Sequence, residues 1–233
     1  MKIRFACLSG YEAILPKPSL ASGALPDWLK AMPATAASSV LLEAEVRTVK
    51  QCPPFVDAMQ SGILFPLAAD VTVENGEFSW DWSPPQSANR MTRSPIGVHA
   101  PEQATGLPGA PSGQFVVKFN NFWTVELPEG WSILFTHPAN RTDLPFHTFS
   151  GVVDCDRWKS GHVHFPAVWI DSEFDGTLPA GTPVAQGWPI KRENLDLEFA
   201  EMDAEELAEH ETVQDALGER AGVYRKDFRA RRN

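Results

Sequence analysis

Apolar and polar residues along this chain alternate in short runs separated by turn formers, and that spacing predicts strands joined by tight bends rather than long helices. Residues 3–7 read as a short strand, and residues 40–49 alternate well enough to form another. The run 63–74, then Asn75-Gly76, then 77–82 reads as a hairpin, because Asn-Gly supplies the positive φ angles of a two-residue turn. Further strands are expected at 114–119, 123–127, 132–136, 146–153, 162–170 and 184–191. Residues 83–113 are rich in Pro, Ser, Gly and Ala with little periodicity, which predicts a long surface excursion of the kind that serves as a lid.

Helices are few. One is expected at 26–32, with Pro26 at its start and Pro33 just past its end, and a brief helical turn at 56–59. Near the end of the chain, Asp203-Ala204-Glu205-Glu206 resembles a capping box, and Leu207, Val213 and Leu217 before Gly218 predict one amphipathic helix with an acidic outer face. Arg225, Lys226, Arg229, Arg231 and Arg232 follow it, to fold back on the acidic stretch or to fray. The fold class expected is mainly β: one domain over 1–192 with the excursion at 83–113, then an acidic helix and a basic tail over 193–233.

Composition narrows the partners. With 233 residues, 43% of them hydrophobic, the chain can bury a full core. Its formal net charge of −10 argues against a nucleic acid polymer, whose binding relies on clustered Lys and Arg. No apolar run approaches the ~20 residues of a membrane span, and the first residues lack the apolar core of a secretory signal, so no membrane partner and a cytoplasmic location are expected. Cys7, Cys52 and Cys155 are odd in number and far apart, which suits neither a disulfide framework nor a zinc cage. Cys155 lies between two carboxylates that raise its pKa and argue against a nucleophilic role.

Two turns carry the candidate chemistry. Gly151-Val152-Val153-Asp154-Cys155-Asp156 places two carboxylates directly after an apolar strand. Gly181-Thr182-Pro183-Val184-Ala185-Gln186 enters another apolar strand through a glycine bend and ends in a buried-looking amide. These two fragments resemble the third and fourth conserved motifs of the dUTPase and dCTP deaminase superfamily. Pro128-Glu129-Gly130-Trp131 and the strand after it are similar to the approach to the second motif, and the strands around Asp70 stand for the first. The resemblance spans about 62–192. Together with Lys50-x-Cys52-Pro53-Pro54, the pattern also resembles a family of bacterial and phage proteins without an assigned function.

The resemblance implies a β-clip fold, a homotrimer, Mg²⁺ as cofactor, and a small anionic or nucleotide-like ligand that is bound, with hydrolysis as the stronger form of the same reading. It assigns Asp154 to orienting an attacking water, with Asp156 beside it as the second acid. Gln186 falls on the strand that helps bind phosphates, Trp158 lies one position beyond the sugar-stacking aromatic, Asn140 and Arg141 are substitute donors where the second motif departs, and Asp70 in the first-motif strands is a further ligand-binding candidate. The chain departs from the family where Arg-Ser-Gly is expected, since it has His137-Pro138-Ala139-Asn140-Arg141, and it lacks the glycine-rich C-terminal arm. By the residues alone, Asp156 also suits a local turn role, and Lys191-Arg192 suits either an anion or a solvated strand end.

Two other readings start from different residues. His162-Val163-His164 puts two imidazoles on one face of a strand, and with Glu173 or His147 they would make an Fe or Zn site of the kind found on cupin-like barrels. Eight tryptophans, with Trp80 and Trp82 sharing a strand face, suit a non-catalytic structural or interaction protein whose partner covers that face.

Overall fold

The computed structural model describes residues 1–40, 44–85, 93–108 and 115–231. The chain is mainly β, with antiparallel sheets, short helices and one longer helix near the C-terminus. In order its strands are β1 (Arg4–Ala6), β2 (Ser19–Leu20), β3 (Thr35–Ala37), β4 (Glu45–Arg47), β5 (Ile63–Pro66), β6 (Val71–Glu74), β7 (Glu77–Ser79) and β8 (Ile96–His99). The rest are β9 (Val116–Phe119), β10 (Thr124–Glu126), β11 (Trp131–Thr136), β12 (Phe146–Thr148), β13 (Gly151–Val153), β14 (Phe165–Trp169), β15 (Gly176–Leu178) and β16 (Pro183–Lys191). The helices are α1 (Asp27–Ala31), α2 (Pro53–Gln60) and α3 (Ala204–Glu219). None of them is long and apolar enough to cross a membrane among the described residues.

The chain divides into two compact units, one of Met1–Met32 with Asp57–Arg192 and one of Pro33–Val56 with Glu193–Asn233. The first holds a five-stranded sheet in the order β13-β11-β16-β5-β2, a four-stranded sheet β12-β14-β9-β8, a three-stranded sheet β15-β6-β7 and the pair β1-β10. The second holds the β3-β4 pair and α3. Asp203 caps α3 with the expected box, its side chain accepting from the backbone N–H groups of Glu205 and Glu206 while the Glu206 carboxylate accepts from the Asp203 N–H.

The core of the first unit follows from strand alternation. Ile133 and Phe135 on β11, Phe65 on β5 and Phe165 on β14 all point inward and are buried. Phe65, Phe135 and Phe165 form a triangle with ring centroids 5.2, 5.3 and 5.4 Å apart, which joins the five-stranded and four-stranded sheets. Each such pair contributes about 1 kcal/mol beyond its area. A second cluster packs Tyr11, Leu15, Ala68, Phe122 and Trp123, with Trp82 edge-on to Phe122 at 5.0 Å.

The Asn75-Gly76 hairpin forms as expected, with φ of 51° and 79° at its two turn residues and Glu74 facing Glu77. Other expected runs divide. Residues 63–74 split into β5 and β6, which pair with different strands, and residues 146–153 split into β12 and β13, which lie in different sheets. Of the strand expected at 40–49, β4 forms, while residues 41–43 lie outside the described residues. The 83–113 excursion contains a strand, β8, which pairs along β9; residues 86–92 and 109–113 of it lie outside the described residues. Strand β7 ends at Ser79, so Trp80 and Trp82 lie beyond it.

Candidate functional site

Strands β11 and β16 run antiparallel in register, Trp131 facing Lys191 and Thr136 facing Gln186. The residues expected at the site gather at the two ends of this pair. Four residue steps at ~3.4 Å separate Ser132 from Thr136, so these two positions on β11, one at each end of the pair, stand roughly 14 Å apart.

At the β13 end, the Asp154-Cys155-Asp156 turn is held by Arg192. Its Nη1 lies 3.0 Å from Asp156 Oδ1, 3.3 Å from Asp154 Oδ1 and 3.0 Å from Ser132 Oγ, and its Nη2 donates to Asp156 Oδ2. The Gly130 N–H donates to Asp156 Oδ2 at 2.9 Å, and the Ser132 hydroxyl donates to Asp154 Oδ1 at 2.6 Å. The Asp156 side chain is 5% exposed. The Arg192 hydrogen bonds, helped by the Gly130 N–H and opposed by burial, hold its carboxyl down at about 2. Both Asp156 carboxylate oxygens are thus engaged within the chain. Asp154 is half exposed, and among the described residues only its Oδ1 is engaged. Burial, then the two flanking carboxylates, push the Cys155 thiol up to about 11. An open polar hollow of about 490 Å³ adjoins this end, lined by Asp156 and Arg192 with Glu126, Glu129, Arg157 and Lys159. The Trp158 indole stands exposed on the following turn, its N–H donating to the His162 carbonyl at 3.3 Å.

At the other end, Gln186 is 1% exposed and spends its whole amide inside the chain. Its Oε1 accepts from the Ala139 N–H at 2.8 Å, and its Nε2 donates to the carbonyls of Ala58 and Ser61 at 2.9 and 2.6 Å. It therefore fixes the 137–141 loop against the end of α2. In the same loop Asn140 adopts φ 57°. His137 accepts from the Thr148 N–H through Nδ1 at 3.3 Å and donates from Nε2 to the Arg141 carbonyl at 2.8 Å, the pattern of a neutral ring. Arg141 makes a bidentate pair with Asp143, at 2.8 Å from Nε and 2.9 Å from Nη2. Its side chain is 16% exposed, and its Nη1 has no partner among the described residues. Arg141, Ala24, Leu64 and Pro183 together wall two adjoining hollows, the larger about 170 Å³ with Lys17 and Gly181 at its edge. Asp70 accepts from the Ala180 N–H at 2.6 Å and so braces the Gly181 turn.

The structure therefore brings Arg141, Gln186 and the Gly181 turn together, and separately brings Asp154 and Asp156 together; it does not bring the two sets together within one chain. Sequence reasoning placed Arg192 at a strand end without its partners. It did not single out Ser132, Asp143 or Lys17, because only strand register and tertiary packing reveal their neighbours.

The residues named for a metal fall apart. His162 and His164 have ring centroids 6.3 Å apart, but His147 stacks on His137 at 4.6 Å, and Glu173 bonds locally to Asp171 and Ser172. His164 Nδ1 accepts from the Asn121 N–H at 3.2 Å, and burial, aided by Lys118 and His162, brings its pKa down to about 4. Among the described residues no three His, Cys, Asp or Glu side chains converge to hold a metal ion.

No protein-family model matches the chain, and no curated protein matches it. Two solved structures similar to it are phage dUTPases. One is a mutant dUTPase from phage phi11 of S. aureus, whose study concerned a structural Mg(II) ion; it is 14% identical over 60% of this chain and 83% of that one, with a TM-score of 0.33. The other is a mutant dUTPase of Staphylococcus bacteriophage 80alpha with dUpNHpp, 12% identical over 61% and 77% of the two chains, also at 0.33. Likeness at this level transfers no residue role.

Proposed function

We propose that this chain binds a small anionic, nucleotide-like ligand at the Arg141 hollow. One observation carries the reading: a mostly buried guanidinium, its plane fixed by Asp143, with Nη1 unpaired among the described residues, beside a hollow walled largely by Ala24, Leu64, Pro66 and Pro183. A guanidinium edge among apolar groups favours a charged oxygen more than it would in open water. Lys17 at the rim adds a second cation, since its pair with Glu12 joins two exposed side chains and yields readily. Gln186, fully bonded internally, acts as scaffold for the Ala139 backbone rather than as a ligand contact.

Hydrolysis is the finer form of this proposal. It requires Asp154 to orient water at a phosphate chain held by Arg141, a task the roughly 14 Å between the two ends denies to a single chain. Catalysis therefore calls for a homo-oligomer, a trimer by the sequence resemblance, in which the aspartate turn of one copy meets the Arg141 hollow of the next. The Arg192 guanidinium already bridges Asp154 and Asp156, which leaves Asp154 Oδ2 as the carboxylate oxygen of that pair open to a magnesium ion. Any ion would enter with the phosphates.

Inorganic pyrophosphate is the first probe. It should raise the melting temperature of the wild type with the logarithm of its concentration, and Arg141→Ala should abolish that rise. A wild type that does not respond sinks the binding proposal. Hydrolysis is tested by pyrophosphate release from a panel of nucleoside triphosphates with Mg²⁺. Loss of release in both Asp154→Asn and Arg141→Ala, and its partial return when the two proteins are mixed, is expected. Equal release by wild type and Asp154→Asn removes catalysis and leaves binding standing.

A further inference from the structure

The larger hollow beside Arg141 offers hydrogen-bond donors and almost no acceptors. It lies on the outward face of the five-stranded sheet, where strand alternation puts Ser19, Leu64, Pro66 and Pro183 on the side opposite the buried Phe65. Pro16, Pro66 and Pro183 in its wall carry no N–H, and the N–H groups of Ala24 and Gly181 already donate to the Ala21 and Leu67 carbonyls. Its polar side chains are the Arg141 guanidinium, the Lys17 ammonium and the Ser19 hydroxyl. Among the described residues Arg141 Nη1 and the Ser19 hydroxyl have no partner, and no carboxylate or side-chain amide lines this hollow. The Gln186 amide reaches the wall of the smaller hollow next to it, but both of its ends are bonded within the chain.

Reading a nucleobase needs different equipment. A base edge presents N–H donors beside acceptors, and side chains match it with amides, carboxylates or a guanidinium that has two nitrogens to give. Arg141 already donates from Nε and Nη2 to Asp143. A base seated here would bury its own N–H groups against proline and leucine without partners. Phosphate oxygens are acceptors throughout, and they carry the charge that a guanidinium and an ammonium attract. Size points the same way, since the hollow is about 170 Å³, well below the ~300 Å³ at which pockets begin to enclose a drug-sized ligand.

We infer that the hollow reads the phosphate end of its ligand and is indifferent to the base, with Lys17 and Ser19 joining Arg141 around the terminal phosphate and the nucleoside left outside. The ligand class is then any compound that ends in a phosphate or diphosphate group, whichever base it carries and whether or not it carries one. Base indifference rests on the anion-binding reading of the Arg141 hollow and narrows it.

Isothermal titration calorimetry of the full chain, without divalent cation, tests it with inorganic pyrophosphate, with ADP, GDP, CDP and UDP, and with the matching nucleosides. Pyrophosphate should bind and the nucleosides should not. The diphosphates should agree with one another within about threefold, inside the roughly tenfold that reading one base edge gives. Lys17→Ala and Ser19→Ala should each weaken pyrophosphate and every diphosphate by a common factor of about fivefold. Their melting temperatures should match the wild type, because both side chains are exposed. One diphosphate preferred by more than about tenfold, a nucleoside that binds by itself, or affinities untouched in both variants would overturn base indifference. In each of those cases pyrophosphate binding that is lost in Arg141→Ala leaves the anion-binding reading standing. A wild type that does not bind pyrophosphate ends that reading, and base indifference with it.

Discussion

Arg192 grips Asp156 with both terminal nitrogens while the Gly130 N–H supports the same carboxylate from the other side. This arrangement lowers the Asp156 pKa to about 2, below the ~3.9 of an unfolded chain. Folding is therefore favoured by the ionised form, and the contribution is full above pH ~4 and lost as pH falls toward about 2. Urea midpoints measured from pH 5 to pH 2 should fall on acidification. Asp156→Asn should flatten part of that fall and lower the plateau above pH 4, since Arg192 is left without its partner.

Histidines act in the same direction at higher pH. Burial lowers the pKa of His137, His162 and His164, with His164 at about 4. An unfolded histidine takes its proton near 6.5, so stability is full above that value and declines as pH drops toward about 4. His164→Gln should shallow this decline, and imidazole NMR of the wild type should show His164 neutral at pH 6. A His164 proton taken up near pH 6.5 would contradict the burial argument.

Replacing Gln186 with leucine tests whether its amide is scaffold. The change strands the Ala139 N–H and two carbonyls in a buried setting, a loss of about 3 kcal/mol. Denaturant unfolding should show this loss in full without any ligand present.

Gly62 is the position where backbone conformation and space coincide. Its φ is +75°, and a Cβ there would lie 2.4 Å from the Gly187 carbonyl oxygen. Gly62→Ala should destabilise by about 3 kcal/mol, because left-handed strain adds to a clash between backbones that cannot shift easily. A thermal melt near wild type would show that the β5 entry yields more than its geometry allows.

The thiols separate by environment. Cys52 is exposed, whereas Cys155 is buried and its thiol is pushed up to about 11. Iodoacetamide at pH 8 should label Cys52 in the native protein and reach Cys155 only after unfolding, which peptide mass spectrometry resolves.

Local chemistry was legible in the sequence wherever neighbours in the chain decide the outcome. Asn75-Gly76 gives its turn, Asp203 with Glu206 gives its cap, and the alternation of 132–136 gives β11. Choices made by distant partners were not legible. Nothing in residues 63–74 says that β5 pairs with β16 while β6 pairs with β15, and β8 hides among Pro, Ser and Gly because its order comes from β9. The candidate site divides the same way. The sequence marks Gln186 as a buried amide, yet its acceptors lie at Ala58 and Ser61, more than 120 residues away. It marks the two aspartates, yet the guanidinium between them comes from the far end of β16.

The irregular step between Pro183 and Ala185 against β5 sets which way everything downstream on β16 faces. With one residue fewer there, the outward and inward sets would trade places, sending the Gln186 amide among the phenylalanine rings and Ala185 toward α2. Length in this strand is thus constrained along with identity: a one-codon deletion would dismantle both ends at once.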